Sequence, residues 1–233
     1  MKSLQKALDV LEYVVLRNGS NVTPTEAAEV LHINPATCTR IMGELLKRGY
    51  LEKISRKNGY VTGAMCAALN TRDNLFTRIA KAADQPLREL SKALARQVNI
   101  SVMHRGRRIM LNFHFSDPLA RPWSKFLMTD HWKTATGRLL LAYMDENESR
   151  KICAACGLEE YPAELFEKIR KDGSVCFKHD SLHILGHAVI VPGYPPSAFG
   201  FGVTEEQLDK ALALSAATAA EIRAKLLPEA TAY

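Results

Sequence analysis

At 233 residues, 47% of them hydrophobic and 24% charged, the chain has the make-up of an ordinary globular protein. It is long enough for one large domain or two smaller ones and needs neither disulfides nor metal to build a core. A net charge of +6 makes nucleic acid a candidate partner. Five cysteines, an odd number without small-scaffold spacing, read as reduced thiols of a cytoplasmic protein, and no apolar run approaches the roughly 18 residues of a membrane helix.

In chain order, Lys2, Lys6, Asp9 and Glu12 interrupt the apolar positions near the N-terminus, which reads as an amphipathic helix and not a signal peptide. Leu4, Ala7, Leu8, Leu11 and Val15 recur at helical spacing and predict a helix over 3–17, ended by Asn18-Gly19-Ser20-Asn21. Thr23-Pro24-Thr25-Glu26 matches a capping box with proline at the first helical position and Glu26 reaching back. A short helix over 24–31 follows, burying Ala27, Ala28 and Leu31, and His32-Ile33 leads directly into the next.

That next helix carries complete punctuation. Asn34 caps it, Pro35 takes the first position, Lys47 and Arg48 complement the dipole, and Gly49 ends it. Cys38, Ile41 and Leu45, with Leu46 beside them, make one apolar stripe; Thr37, Thr39, Arg40, Glu44 and Lys47 face away. Two helices joined by so short a turn cross steeply, as in a helix-turn-helix, whose second helix offers its first turn to a major groove. The segments 50–56 and 60–63 then flank Asn58-Gly59, a hairpin signal with Arg56 and Lys57 at its tip. Helix, helix-turn-helix and basic hairpin together predict a winged helix that binds DNA. Thr37, Thr39 and Arg40 would read base edges and Arg56 and Lys57 would touch phosphate, with Pro35, Ala36 and Asn58 counted on the same surface. A winged helix used for protein contact is the bland alternative.

Residues 3–63 resemble the DNA-binding domain of the IclR family of bacterial transcription regulators. The resemblance is carried by Thr37-Cys38-Thr39-Arg40-Ile41-Met42, the glycine at Gly49, and Tyr60-Val61-Thr62-Gly63 closing the wing. It implies double-stranded operator DNA as partner and a cytoplasmic location.

Beyond the wing, Leu75, Ile79, Ala82 and Ala83 continue a helical stripe past a polar break at 70–74, which reads as a linker helix over 64–83. Such a helix buries its stripe against a twin in a homodimer or homotetramer, or else on its own domain. Pro86 reads as the start of another helix, with Leu87, Leu90, Leu94 and Val98 as its apolar face. Strands are predicted at 97–104 and 108–113 around an Arg105-Gly106-Arg107 turn, with Arg105, Arg107 and Arg108 as a solvated tip. Helices follow over 134–144 and 162–170, strands at 175–177, 187–191 and 198–203 around a 192–196 turn, and a helix over 207–227. The fold class is α+β: a winged helix-turn-helix over 1–63, the linker helix, and an antiparallel sheet with helices over 84–233.

This second part is similar to the IclR-family effector-binding domain, itself related to GAF and PAS sensor folds. Residues 87–103 resemble its opening helix and strand, and Thr134-Ala135-Thr136-Gly137-Arg138-Leu139-Leu140-Leu141-Ala142 matches its best motif, with arginine where the family has lysine. The resemblance implies a small-molecule effector, a carboxylate or sugar-derived metabolite, beside Ala135, Thr136 and Gly137, with Asp180 as a wall residue. Gly200 and Gly202 stand where the family has small hydroxyl residues. The lead-in Asp130-His131-Trp132-Lys133 departs from the family's proline-leucine-histidine. No cofactor, no membrane association and no catalytic role is expected.

Two rival chemistries come from the thiols and imidazoles. Cys153-Ala154-Ala155-Cys156 has zinc-like spacing and His179, His183 and His187 recur every fourth residue, the pattern of a metal-sensing regulator. Cys176 near His179 could imitate the nucleophile and base of an enzyme, but no orienting acid or oxyanion donor accompanies them. Trp123 and Trp132 read as core or pocket wall.

Overall fold

The computed structural model describes residues 2–17, 19–55, 59–70, 73–116 and 127–230. Contacts among them divide the chain between Asp73 and Asn74.

The first unit begins with α1 (Lys2–Leu16), α2 (Pro24–Val30) and α3 (Pro35–Lys47). Its core joins Val10, Tyr13 and Val14 of α1, Ala27 and Ala28 of α2, and Cys38, Ile41 and Met42 of α3 with Ile33 from the turn. Thr23 caps α2 as expected, its Oγ1 accepting from the Glu26 amide at 3.2 Å. The Glu26 carboxylate does not complete the box. It accepts from Tyr13 Oη at 2.9 Å and lies 3.3 Å from Arg17, tying α2 to α1. An ionic partner beside a buried phenol outcompetes a local amide, and burial with the Glu26 contact pushes Tyr13 up to about 12.

Strands β1 (Leu51–Ser55) and β2 (Gly59–Thr62) pair antiparallel, with an irregularity between Lys53 and Ser55. Val22 adds a bridge to Tyr60. Gly59, at φ +77°, passes so close to that segment that a Cβ there would stand 2.3 Å from the Val22 carbonyl oxygen, so any side chain would part the wing from the α1–α2 turn. Arg56, Lys57 and Asn58 lie outside the described residues. Helix α4 (Ala64–Asn70) closes the unit.

The second unit opens with α5 (Leu75–Leu94), capped by Asn74 in a capping box with Thr77. The sequence reading begins a new helix at Pro86; instead Pro86 sits inside α5. Ile79, Ala83, Leu87, Leu90 and Leu94 form one buried stripe running through it, and that burial outweighs the missing backbone donor. The span 64–83, read as a linker helix with a polar break at 70–74, comprises α4 and the first half of α5.

Strands β3 (Val98–His104), β4 (Arg107–His114), β5 (Leu127–Met128), β6 (Ser174–His179), β7 (Leu182–Val189) and β8 (Ser197–Val203) make one antiparallel sheet in the order β5-β4-β3-β8-β7-β6. One face packs on α5 and α9 (Leu208–Ala230) through Val98, Ile100, Leu185, Phe199 and Phe201. The other carries α6 (Ala135–Ala142), α7 (Glu146–Ala155) and α8 (Ala163–Asp172), with Leu139, Leu141, Phe166 and Ile169 in its core. Period-2 alternation assigns the faces: Phe199 and Phe201 look one way, Ala198 and Gly200 the other.

Candidate functional site

Helix α3 presents the first candidate surface. Asn34 Oδ1 accepts from the amides of Ala36 at 3.0 Å and Thr37 at 3.3 Å. Cys38, Ile41 and Met42 are buried, which turns Pro35, Ala36, Thr39 and Arg40 outward, all exposed, with Thr37 half-buried beside them. Thr39 Oγ1 donates to the Pro35 carbonyl at 3.0 Å, so its oxygen remains only as an acceptor. Glu44 pairs with Lys47 at 2.7 Å, one turn farther on. Arg40 makes no hydrogen bond or ion pair among the described residues. The result is a capped first turn with hydroxyl acceptors and a guanidinium that makes no close ion pair among the described residues. A duplex can be met there without first breaking an ion pair.

The second candidate centre surrounds the start of α6. Thr134 caps the helix, its Oγ1 accepting from the Gly137 amide at 3.2 Å. The amides of Ala135 and Thr136 have no hydrogen-bond partner among the described residues, and both residues are buried. Gly137 is required by contact: a Cβ there would lie 2.0 Å from the His131 carbonyl oxygen. Directly beneath, a Cβ on Gly200 would meet Ala135 Cβ and Thr136 Cγ2 at 3.2 Å, so this glycine lets the helix settle on the sheet. Asn99 pairs with Gly200 and Ser101 with Ala198, which puts both polar side chains on the α6 face; Ser101 Oγ donates to Asn99 Oδ1 at 3.3 Å.

Arg108 dominates this centre. The solvated-tip reading holds for Arg105 and Arg107, which are exposed, but Arg108 is only 2% exposed. Strand alternation turns it inward beneath α6, where NH1 donates to Thr134 Oγ1 and, at 2.8 Å, to Thr136 Oγ1, and NH2 donates to Asp130 at 2.8 Å. Burial, only partly offset by Asp130, holds the Arg108 pKa below the usual arginine range. His131, 2% exposed, bonds through Nε2 to the Gly106 carbonyl at 3.1 Å, while its buried Nδ1 has no partner among the described residues. Burial also holds its pKa below the ordinary imidazole value.

Sequence reasoning missed Arg108, Asn99 and Ser101. A signal for Arg108 existed: in a strand, neighbouring arginines point to opposite faces, and Asp130, Thr134 and Thr136 supply acceptors for the one turned inward. Of the residues expected around an effector, Ala135, Thr136, Gly137 and Gly200 come together. Gly202 lies farther along β8, against Leu182 and Ile184. Asp180 is not brought to them: it occupies the turn between β6 and β7 at φ +53°, its side chain 87% exposed.

The thiol and imidazole patterns are dispersed. Cys176 and His179 are three apart on β6, hence on opposite faces, and partial desolvation with the nearby Glu205 charge raises the pKa of the exposed Cys176 thiol, the wrong direction for a nucleophile. His183 pairs with Glu205 at 2.6 Å and His187 with Ser215 at 3.0 Å. Cys153 is buried and Cys156 caps the end of α7. Among the described residues no three His, Cys, Asp or Glu side chains are grouped to hold a metal. Among the described residues no helix is long and apolar enough to cross a membrane. Trp132 meets Phe166 edge-on and stacks under Arg138 at 4.4 Å, while Trp123 lies outside the described residues.

A capped helix following a short turn, a two-stranded wing and a second, α+β unit define the class: a winged helix-turn-helix protein with a further α+β unit. Residues 3–55 match the IclR helix-turn-helix domain model. Along almost its whole length the chain has the fold of IclR transcriptional regulators. It is similar to an IclR homolog from Microbacterium hydrocarbonoxydans complexed with 4-hydroxybenzoate (14% identity, 96% of this chain and 98% of that one, TM-score 0.68). It is also similar to the Thermotoga maritima IclR (21%, 97% and 99%, TM-score 0.61) and to an IclR transcriptional regulator from Alicyclobacillus acidocaldarius (19%, 97% and 98%, TM-score 0.64). Comparison with curated proteins gave no match.

Proposed function

We propose that this protein is a transcription regulator that binds operator DNA through α3 and the β1–β2 wing, and whose operator binding is modulated by a small metabolite bound beside the start of α6. The observation that carries the DNA reading is the outward first turn of α3, where Thr39 and Arg40 are exposed beside half-buried Thr37 on a rigid, Asn34-capped helix. Arg40 reads a base edge, Thr37 and Thr39 contribute hydroxyls, Pro35 and Ala36 make the close approach, and Arg56, Lys57 and Asn58 of the wing touch flanking phosphate. Two copies of so short a recognition surface address two half-sites, which favours a homodimer or homotetramer.

The effector reading is supported by amides without a partner among the described residues, over a buried cation at the α6 start, and by the 4-hydroxybenzoate complex of the similar Microbacterium protein. Asn99 and Ser101 join Ala135, Thr136 and Gly137 in that site. Asp180 and Gly202 have no part in it. Such a protein works in the cytoplasm, where its DNA is, and regulates without catalysing a reaction.

Selection of binding sequences from a random duplex pool tests the DNA reading. A two-fold related motif whose recovery is lost in Arg40→Ala is expected; equal recovery of all sequences by the unaltered protein refutes it. Operator binding with and without each member of a small-metabolite panel tests the modulation.

A further inference from the structure

Arg108 places an always-charged guanidinium inside the protein. Two of its partners, Thr134 and Thr136, are neutral hydroxyls. Among the described residues the compensating charge comes from Asp130 alone, whose side chain is 48% exposed and belongs to the irregular segment leading into α6. A structural ion pair is most secure when both partners are held by packing. Here the cation is held and the anion is not. Burial lowers the Arg108 pKa, and the nearby Asp130 charge offsets that only in part. The unengaged amides of Ala135 and Thr136 add positive potential at the same place. A second unmet group lies alongside: the buried Nδ1 of His131, a bare acceptor when Nε2 carries the proton to Gly106. His131 is near enough for the charges of both Arg108 and Asp130 to act on it.

We infer that Arg108 is the charge-recognising residue of the effector site, and that Asp130 is an internal stand-in for the effector's carboxylate, leaving Arg108 when a small carboxylate arrives. This rests on the effector reading given above. The stand-in sets the ligand chemistry. A position already shaped to a carboxylate oxygen at 2.8 Å accepts another carboxylate with the least rearrangement. Exchange frees the segment 130–133 from the buried cation. Occupancy is thereby coupled to the placement of the residues that cap and buttress α6, Thr134 and His131.

The exchange makes removal of Asp130's charge strengthen carboxylate binding, whereas loss of a merely structural contact would weaken it or leave it unchanged. Full-length protein, Asp130→Asn and Arg108→Gln are titrated by calorimetry with 4-hydroxybenzoate, benzoate and pyruvate, and with the matched neutral amides. Expected is carboxylate binding about tenfold tighter in Asp130→Asn than in the unaltered protein, a factor typical of removing one competing charge contact. Amide binding should be the same in both, and carboxylate binding should vanish in Arg108→Gln. Should Arg108→Gln fail to fold, the Asp130→Asn comparison decides. Carboxylates that bind Asp130→Asn no more tightly than the unaltered protein, or bind neither, overturn the exchange. Neutral members that bind and alter operator affinity while carboxylates do not would overturn it with the effector reading intact; if nothing in a broad metabolite panel changes operator affinity, that reading fails too.

Discussion

Replacing Gly137 by alanine tests whether α6 is seated as the structure has it. The added Cβ would lie 2.0 Å from the His131 carbonyl oxygen, 2.5 Å from its Cα and 2.6 Å from its carbonyl carbon. Ordinary contact needs about 3.5 Å, so the helix start must retreat by more than roughly 1 Å. All three obstacles are backbone atoms and cannot rotate away. Leu139, Leu140 and Leu141 are buried on the same helix, so the shift disturbs the core behind it. Overpacking of this kind costs about 3 kcal/mol. For a unit of this size that lowers the Tm by roughly 6 to 12 °C. Differential scanning calorimetry of the full-length protein measures it, with the transitions of the two units assigned separately. Gly43→Ala is the matched control. It also lies within a helix, but its Cβ would meet nothing within 4 Å, so alanine should stabilise the first unit by about 0.8 to 1 kcal/mol. A Gly137→Ala protein unfolding within a degree of the unaltered one refutes the close approach of α6 to the His131 backbone.

Arg40→Ala should cost about 1 to 3 kcal/mol of discrimination at one base position, measured by competition between operator variants; an unaltered preference would count against α3 as the reading helix. Thr39→Val keeps the methyl group but loses the acceptor. It should relax preference at a position whose base edge offers an amine, adenine or cytosine, and leave other positions unchanged. Lys57→Ala should weaken binding to all sequences alike and lower the salt slope by about 1, read from affinities across a salt series. The imidazole of His187, stacked on Phe199 and pushed down to about 4 by burial, is neutral in the folded protein where an exposed one would be charged. Between pH about 6.5 and 4 the unfolded chain therefore binds more protons. Stability falls as pH falls through this window, by on the order of 2 kcal/mol after allowance for partial solvent access. His187→Gln should flatten that limb in acid denaturation; an unchanged limb would show that His187 does not titrate as its burial implies.

Legibility differed between the two units for a physical reason. In the first, local chemistry and packing agree. Asn34, Pro35 and the Cys38, Ile41 stripe settle both the limits of α3 and which side faces out, because a cap and a 3.6-residue period act within a few turns. Where a distant partner competes, the local reading fails, as when the Glu26 carboxylate leaves its own helix start for Tyr13. Pro86 is the same lesson at larger scale: the apolar stripe from Ile79 to Leu94 carries the helix through a residue that would end an isolated one.

Around α6 the motif 134–142 was visible as a helix carrying a glycine, but its cap and surroundings were not. Arg108 follows two arginines of a turn and looks like one more solvated cation. Only the pairing of β4 within the sheet and the placing of α6 above it turn that guanidinium inward onto Thr134, Thr136 and Asp130. Asp180 shows the converse, a position carried over from a resemblance that the β6–β7 turn leaves in solvent. What the chain's order of residues determined by itself was whatever depends on neighbours a few positions apart: helix limits, caps, the wing and the outward turn of α3. The tertiary structure alone decided which charges are buried and what they face. Burial belongs to residues far apart in sequence brought together by the sheet, and a side chain's electrostatics follow from its surroundings more than from its own identity.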